Sequence, residues 1–528
     1  MRFLTKKFRK REIAKHAEQS NRHSDQEYLN TDLKENIQKI KERLGYSSDV
    51  KFRDIGVGAD GALKTCLIHT AGLVDQVLLQ EAVESLLTTV SDVQLQKLFS
   101  SNSNSVHVLK NEVLSTSQVT EVRSYDELYS SLIMGEAVLL IDGYNHAVSL
   151  NVKGWEKRGV DEPSTQNVIR GPKEGFTESI RTNTSLIRRR IKSPDLRVET
   201  RVIGQVTQTQ VDIMYVEGIV TEGIVDEVRT RLDRIDIDGI LDSGYIEELI
   251  EDEAYSPFPT IVDSERPDVV AGGLLEGRVA ILVDGSPFVL LVPSVFVEYF
   301  QAAEDYYQRA DIASLLRLLR FMSFFTALLL PAIYIALTTY HQEILPHALL
   351  LSLAAQVEGT PFPALVEALL MGVAFEVLRE AGVRMPKAIG QAISIVGALV
   401  IGEAAVRAGL VSAAMVIVVA FTAISNFVFP AINMAIPVRI LRFGFMIFAA
   451  TFGLFGIAVG LIALIVHLCS IRSFGIPYMS PLAPFIKFDQ KDAIIRMPIF
   501  WRMTRPRLIN QNNMRRQSKI KPTKPIPK

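Results

Sequence analysis

Cysteine and tryptophan are scarce, two of each in 528 residues. Cys66 and Cys469 are too few and too far apart for a disulfide framework or a thiolate metal site. Histidine is sparse too, and His341 and His347 have no ligand partner at helical metal spacing. Gly272-Gly273 and the nearby Gly277 are not followed by Gly-Lys-Ser/Thr, which excludes a phosphate-binding loop. No nucleophile–base pair and no basic-aromatic surface stands out. The expectation is a non-enzymatic protein without cofactor, metal or nucleic-acid partner. Residues 1–320 are mixed and charged and hold no membrane-length apolar run, and the N-terminus lacks the apolar stretch of a cleaved signal peptide.

Beyond that point the composition changes. From Phe321 to Ser470 the chain is almost all Leu, Ile, Val, Ala, Phe and Gly, with several runs near twenty residues. About twenty apolar residues cross a hydrocarbon core of about 30 Å. The expected fold is an α/β cytoplasmic head of two related subdomains plus an all-α polytopic membrane domain. Phe321–Tyr340 is the first expected span, with Pro331 inside it. Pro346–Gln356 is too short to cross and reads as interfacial or re-entrant. Pro363–Glu380, Ile389–Ala408, Leu410–Phe429 and Phe443–Ser470 are the further candidates, giving four to five spans over residues 321–470.

Charge sets the orientation. Arg2, Lys6, Lys7, Arg9, Lys10, Arg11 and Lys15 face only Glu12 at the start, and the tail is basic from Lys487 through Arg515, Arg516 and Lys528. Lys/Arg excess beside membrane segments marks the cytoplasmic side, so head and tail are both expected there. That requires an even number of crossings. Five candidates conflict with it, and the sequence alone does not remove the conflict.

The head carries an internal repeat. SLIMGEAVLLIDG (131–143) aligns with GLLEGRVAILVDG (273–285) at an offset of 142, matching Leu132, Gly135, Leu140, Asp142 and Gly143 to Leu274, Gly277, Leu282, Asp284 and Gly285. Two copies of one helix–Gly–strand–Asp–Gly–strand unit imply two related α/β subdomains, 31–153 and 195–300. Asp142 and Asp284 read as turn residues. Residues 1–30 read as a basic arm, 154–194 as a linker with a bridging helix, 301–320 as a connecting helix and 471–528 as a basic tail. Val295–Arg320 reads as a helix leading to the bilayer, with Arg317 and Arg320 at its cytoplasmic mouth.

Charged residues are the candidate sites. Ionisable groups at membrane depth cost about 2.5–3.5 kcal/mol each on insertion scales and mark function by default. Glu367, Glu376, Glu380 and Glu403 are the candidates for an ion pathway. The plainer alternatives are pairing of Glu376 and Glu380 with Arg379 and Arg384 near the interface, and mutual neutralisation of Glu403 and Arg407 at i and i+4. In the bridging helix Arg181, Arg188, Arg189 and Arg190 are candidates for contact with another subunit. A solvated helix face is the alternative.

Three stretches carry a family resemblance: GPKEGFTESIRTNTSLIRRRI from Gly171, VVAGGLLEGRVAILVDGSPFVLLVP (269–293) and EVLREAGVRMPKAIGQAISIVGALVIGEAAVRAGLVS (376–412). Together they resemble the A subunit of the GerA-type spore germinant receptors, over roughly residues 40–500. The resemblance implies a subunit of the spore inner membrane that turns nutrient binding into ion release and germination. It implies a transporter-like B subunit and a lipoprotein C subunit as partners, and a homo-oligomer of A subunits acting as a ligand-gated ion channel. Rival readings are an ion- or proton-coupled secondary transporter and a non-conducting membrane scaffold.

Overall fold

A computed structural model describes residues 27–57, 63–89, 119–154, 162–163, 166, 168–384, 402–510 and 513–517. In the first unit of the head, α1 (Leu33–Arg43), β1 (Val50–Val57), β2 (Leu63–Thr70), α2 (Gln76–Thr89), β3 (Val119–Val122), α3 (Tyr125–Ile133), β4 (Ala137–Ile141) and β5 (Ala147–Leu150) follow one another. They build an antiparallel sheet in the order β1-β2-β4-β5-β3. The second unit runs α4 (Ile180–Arg190), β6 (Leu196–Ile203), β7 (Thr209–Val216), α5 (Glu222–Asp233), α6 (Ser243–Ile250), β8 (Val262–Ser264), α7 (Pro267–Glu276), β9 (Val279–Val283) and β10 (Val289–Val292). Its antiparallel sheet is ordered β6-β7-β9-β10-β8, the same plan.

Each sheet is covered on both faces, which is why β4 (AVLLI) and β9 (VAILV) are apolar at every position. Cys66, Ile68, Val138 and Leu140 pack with α1 and α3, and Leu67, Leu139 and Ile141 pack with α2. In the second unit Val198, Met214, Ala280 and Leu282 pack with α4 and α7, and Ile213, Ile281 and Val283 with α5 and α6. The repeat reaches individual hydrogen bonds. Asp142 Oδ1 accepts from the Leu33 N–H, and Asp284 Oδ1 from the Ile180 N–H. Asn36 exchanges two hydrogen bonds with the Asn30 backbone, as Asn183 does with that of Thr177. Both Asp-Gly turns place glycine in the left-handed region, φ 84° at Gly143 and 89° at Gly285. Each turn carboxylate thus holds the first turn of a helix, where negative charge is favoured. α4, expected to bridge the subdomains, occupies the place of α1 and is the first helix of the second unit.

Val295–Arg320 is not one helix. Two 3₁₀ turns, Phe296–Phe300 and Ala303–Tyr306, precede α8 (Ala310–Thr339), which continues unbroken past Arg320. Then come α9 (His347–Glu358), α10 (Ala364–Arg384), α11 (Ala413–Asn426) and α12 (Ile432–Ser470). Of the expected helix Ile389–Ala408, 402–407 is helical, Ala408 is a turn, and 389–401 lies outside the described residues. Among the described residues α8 and α12 are long and apolar enough to cross a membrane. α11 has 14 residues, about 21 Å, shorter than the span expected over Leu410–Phe429.

The expected span Phe443–Ser470 is instead part of a doubled helix. Gly453 leaves the helical region, at φ 61° and ψ −143°. A Cβ on Gly456 would come within 2.2 Å of the Phe448 carbonyl oxygen, and one on Gly460 within 2.8 Å of the Phe445 ring. In a straight helix residues eight apart are about 12 Å apart, so the chain reverses at Gly453. Both ends of α12 meet the second unit: Asn433 Nδ2 donates to Asp263 at 2.9 Å, and His467 Nε2 lies 3.0 Å from Ser256 Oγ. The reversal sits at the far end of α8, where the Tyr340 hydroxyl donates to the carbonyls of Ala450 and Thr451.

The tail returns to the head. The short strands β11 (Arg472–Ser473) and β12 (Ile476–Pro477) pair, and Ser473 Oγ donates to the Thr260 carbonyl at 2.7 Å. Phe474 enters the second unit's core, and Tyr478 packs against Phe296.

Candidate functional site

α8 opens with Arg317 and Arg320, three residues apart and therefore on one side of the helix. Both turn inward toward Asp305 of the second 3₁₀ turn. Arg317 is 0% and Asp305 1% exposed. The Asp305 carboxylate accepts from Arg320 at 2.8 and 2.9 Å and from Arg317 at 3.2 Å. Asp492, from the tail, accepts from Arg317 at 3.0 Å and pairs with Arg502. Arg502 in turn lies 3.6 Å from Glu276, the last residue of α7. The Tyr306 ring sits among three guanidiniums, 4.8 Å from Arg502 and 5.9 Å from Arg317 and Arg496. Burial raises the Asp492 pKa above the usual carboxylate range, against the opposing pull of Arg502 and Arg317. One buried network therefore ties the second unit, the neck, the first long helix and the tail. Separating these parts would part charges that have little water to replace their partners.

The four carboxylates expected on an ion pathway are all engaged within the chain. Glu367 is 1% exposed and accepts from Thr360 Oγ1 at 2.8 Å, Ser412 N at 3.1 Å and Ser412 Oγ at 3.0 Å. It holds the N-terminal end of α11. Glu376 pairs across the bundle with Arg442 at 3.1 Å and Arg439 at 3.7 Å. Glu380 pairs with Arg384 at 2.7 Å and Glu403 with Arg407 at 2.5 Å, each one helical turn apart. Only these last two pairs are exposed, Glu403 by 54% and Arg407 by 78%.

The arginines of α4 are mostly occupied too. Arg188 is buried and donates to both carboxylate oxygens of Asp49, at 2.6 and 2.9 Å, and to Ser47 Oγ. It joins the two units of one head, which corrects its expected role at another subunit. Arg189 and Arg190 reach Glu174 at 3.5 and 2.8 Å. Arg181 is exposed. The inter-unit seam continues through Ser48 N–H to the Val198 carbonyl and Arg43 to Asp195. Sequence reasoning placed Arg317 and Arg320 at the head end of the membrane helix but missed Asp305, Asp492, Arg502 and Glu276. The readable signal was the pair itself: two arginines on one face at the start of an apolar helix need carboxylates.

The fold and this junction define a class: a duplicated α/β head locked by buried ion pairs onto a bundle of apolar helices. A profile of the family described as Bacillus/Clostridium GerA spore germination protein matches residues 38–508, and the chain belongs to that family. Spore germination protein KA of Bacillus subtilis (strain 168) is 49% identical over 491 residues, covering 93% of this chain and 89% of that one. Spore germination protein GerLA of Bacillus cereus is 41% identical over 471 residues, 89% and 94% of the two chains. The crystal structure of the N-terminal domain of the A subunit of the Bacillus megaterium spore germinant receptor GerK3 is 40% identical, covering 52% of this chain and 98% of its own, with a TM-score of 0.41.

Proposed function

We propose that this chain is the A subunit of a nutrient germinant receptor in the spore inner membrane. It works there with a transporter-like B subunit and a lipoprotein C subunit, as an oligomer that passes ions once nutrient is bound. The observation that carries this reading is the junction around Asp305 and Asp492, through which a displacement of the head becomes a displacement of α8. The exposed Glu403–Arg407 pair supports the oligomer. A charged pair on an apolar bundle is costly against lipid and is favoured against water or a second subunit.

The same reading puts head and tail on one side. α8 leaves the head. α10 returns toward it, since Glu376 lies beside Arg439 and Arg442 in the head-proximal arm of α12. Gly409 lies beside the Gly359 carbonyl at the far end. α11 comes back, and the two arms of α12 go out and return.

A non-conducting scaffold is the second reading, and the closure of Glu367 and Glu376 by partners within the chain favours it. Nutrient-triggered ion efflux from liposomes holding the purified receptor separates the two. We expect efflux from the native receptor and altered ion preference in Glu403→Gln. Absence of efflux from a complete, nutrient-binding complex would leave the scaffold.

A further inference from the structure

The second unit, the neck, α8 and the tail enclose a cavity of about 610 Å³. A smaller one of about 80 Å³ shares with it a wall made of Glu276, Arg278, Glu298, Gln301, Arg502 and Arg516. Small-molecule sites commonly measure about 300–1,000 Å³, so the larger space is of ligand size. The shared wall holds three guanidiniums, Arg278, Arg502 and Arg516, against Glu276 and Glu298, and the smaller cavity adds Asp492. Glu276 is shared by all three, at 3.6 Å from Arg278, 3.6 Å from Arg502 and 3.1 Å from Arg516. Glu298 pairs with Arg278 and Asp492 with Arg502.

The rest of the lining is different. Asp268 is held by Arg266 and the Tyr307 hydroxyl, Asp263 by Asn433, and Glu304 by Gln308. Those carboxylates have their donors. On the shared wall Arg278 Nε is buried without an acceptor. No buried carboxylate oxygen is unmet among the described residues. Buried donors normally find acceptors, so what this place lacks is an acceptor. Burial also pulls the Arg278 pKa below its ordinary value, as expected of a charge whose lost hydration is incompletely replaced. Phe427, Phe429 and Pro430, from the loop after α11, line the end nearest the membrane helices and offer an apolar wall.

We propose that this cavity binds an oxyanion, a phosphate or carboxylate group carried by a soluble small molecule or by an anionic lipid headgroup, with Arg278, Arg502 and Arg516 as its donors. The occupant bridges the head to the tail beside the Asp492 network. The inference stands on the cavity and the unmet Arg278 donor in its wall and does not depend on ion conduction.

Gly272 of α7 supplies the test. It lines the cavity, and a Cβ there meets nothing within 4 Å. Gly272→Leu fills the space from a helix position where Leu is favoured over Gly. Arg516→Gln removes a guanidinium that is 31% exposed and leaves no buried charge unpaired. Thermal unfolding of the purified full chain is followed against inorganic phosphate in neutral detergent, and in nanodiscs of phosphatidylcholine with and without phosphatidylglycerol. A saturable rise in Tm with phosphate assigns a soluble ligand, and a rise only with phosphatidylglycerol assigns a headgroup. Both variants should fold as the native chain does and bind the effective probe at least about tenfold more weakly. No rise with either probe, or an unchanged rise in both variants, overturns the proposal.

Discussion

Arg188 and Asp49 come from different units and meet with both side chains buried. Removing one partner leaves the other as an uncompensated buried charge, at a cost of about 3–5 kcal/mol. Arg188→Ala should therefore lower the unfolding free energy by about that amount in denaturant titrations of the full chain. A loss no larger than that of an exposed pair, about 1 kcal/mol or less, would show that water reaches the site. Glu247 of α6 offers a second check. Burial, then the charges of Asp263, Glu251 and Asp242, push its pKa up from 4.5 to about 7. The folded chain holds this proton more tightly than the unfolded one, so the contribution to stability is full below pH 4.5 and is lost as the pH rises to about 7. Glu247→Gln keeps the neutral form at every pH. Its Tm should exceed that of the native chain at about pH 8, by an amount on the order of 2 kcal/mol in stability, and match it at about pH 4. Equal Tm at both pH values would place Glu247 in ordinary solvent.

Among the elements, the reversal at Gly453 is the boldest departure from a simple reading. Cysteines replacing Phe445 and Gly460, in a Cys66→Ser, Cys469→Ser background, should oxidise to a disulfide within one chain. In a straight helix they would be about 22 Å apart, beyond disulfide reach, so failure to cross-link under mild oxidation would restore the single long helix. The sequence could not show this turn, because a helix surrounded by apolar groups on all sides has no polar face whose register breaks, and glycine is common in such helices. In the head the opposite held. Strands covered on both faces write themselves as apolar runs, and the Asp-Gly turns at 142–143 and 284–285 marked where the repeat recurs. The Asn36 and Asn183 brackets were equally present in the sequence but invisible without knowing that each closes on backbone six residues earlier. The junction was illegible for another reason: Asp305, Arg317, Asp492 and Arg502 come from chain segments far apart, and no local period links them.

For the whole molecule, the Asp492 network makes the head, α8 and the tail one cooperative body. Asp492→Asn removes the charge shared by Arg317 and Arg502, a loss on the order of 3 kcal/mol. The expected outcome is a thermal transition that splits into separate head and membrane steps, with slower ion release from spores carrying the variant at normal protein level. Unchanged germination kinetics in such spores would remove the junction as the route of transmission. The tail also sets an order of events during synthesis. Phe474 and Ser473 complete the second unit's interior and its contact with Thr260, yet the ribosome makes them only after every apolar helix has been translated. Domains ordinarily fold as they emerge, N-terminal first. Here the residues that complete the second unit's interior follow the apolar helices in the chain, so its final packing comes later in synthesis than that of the first unit.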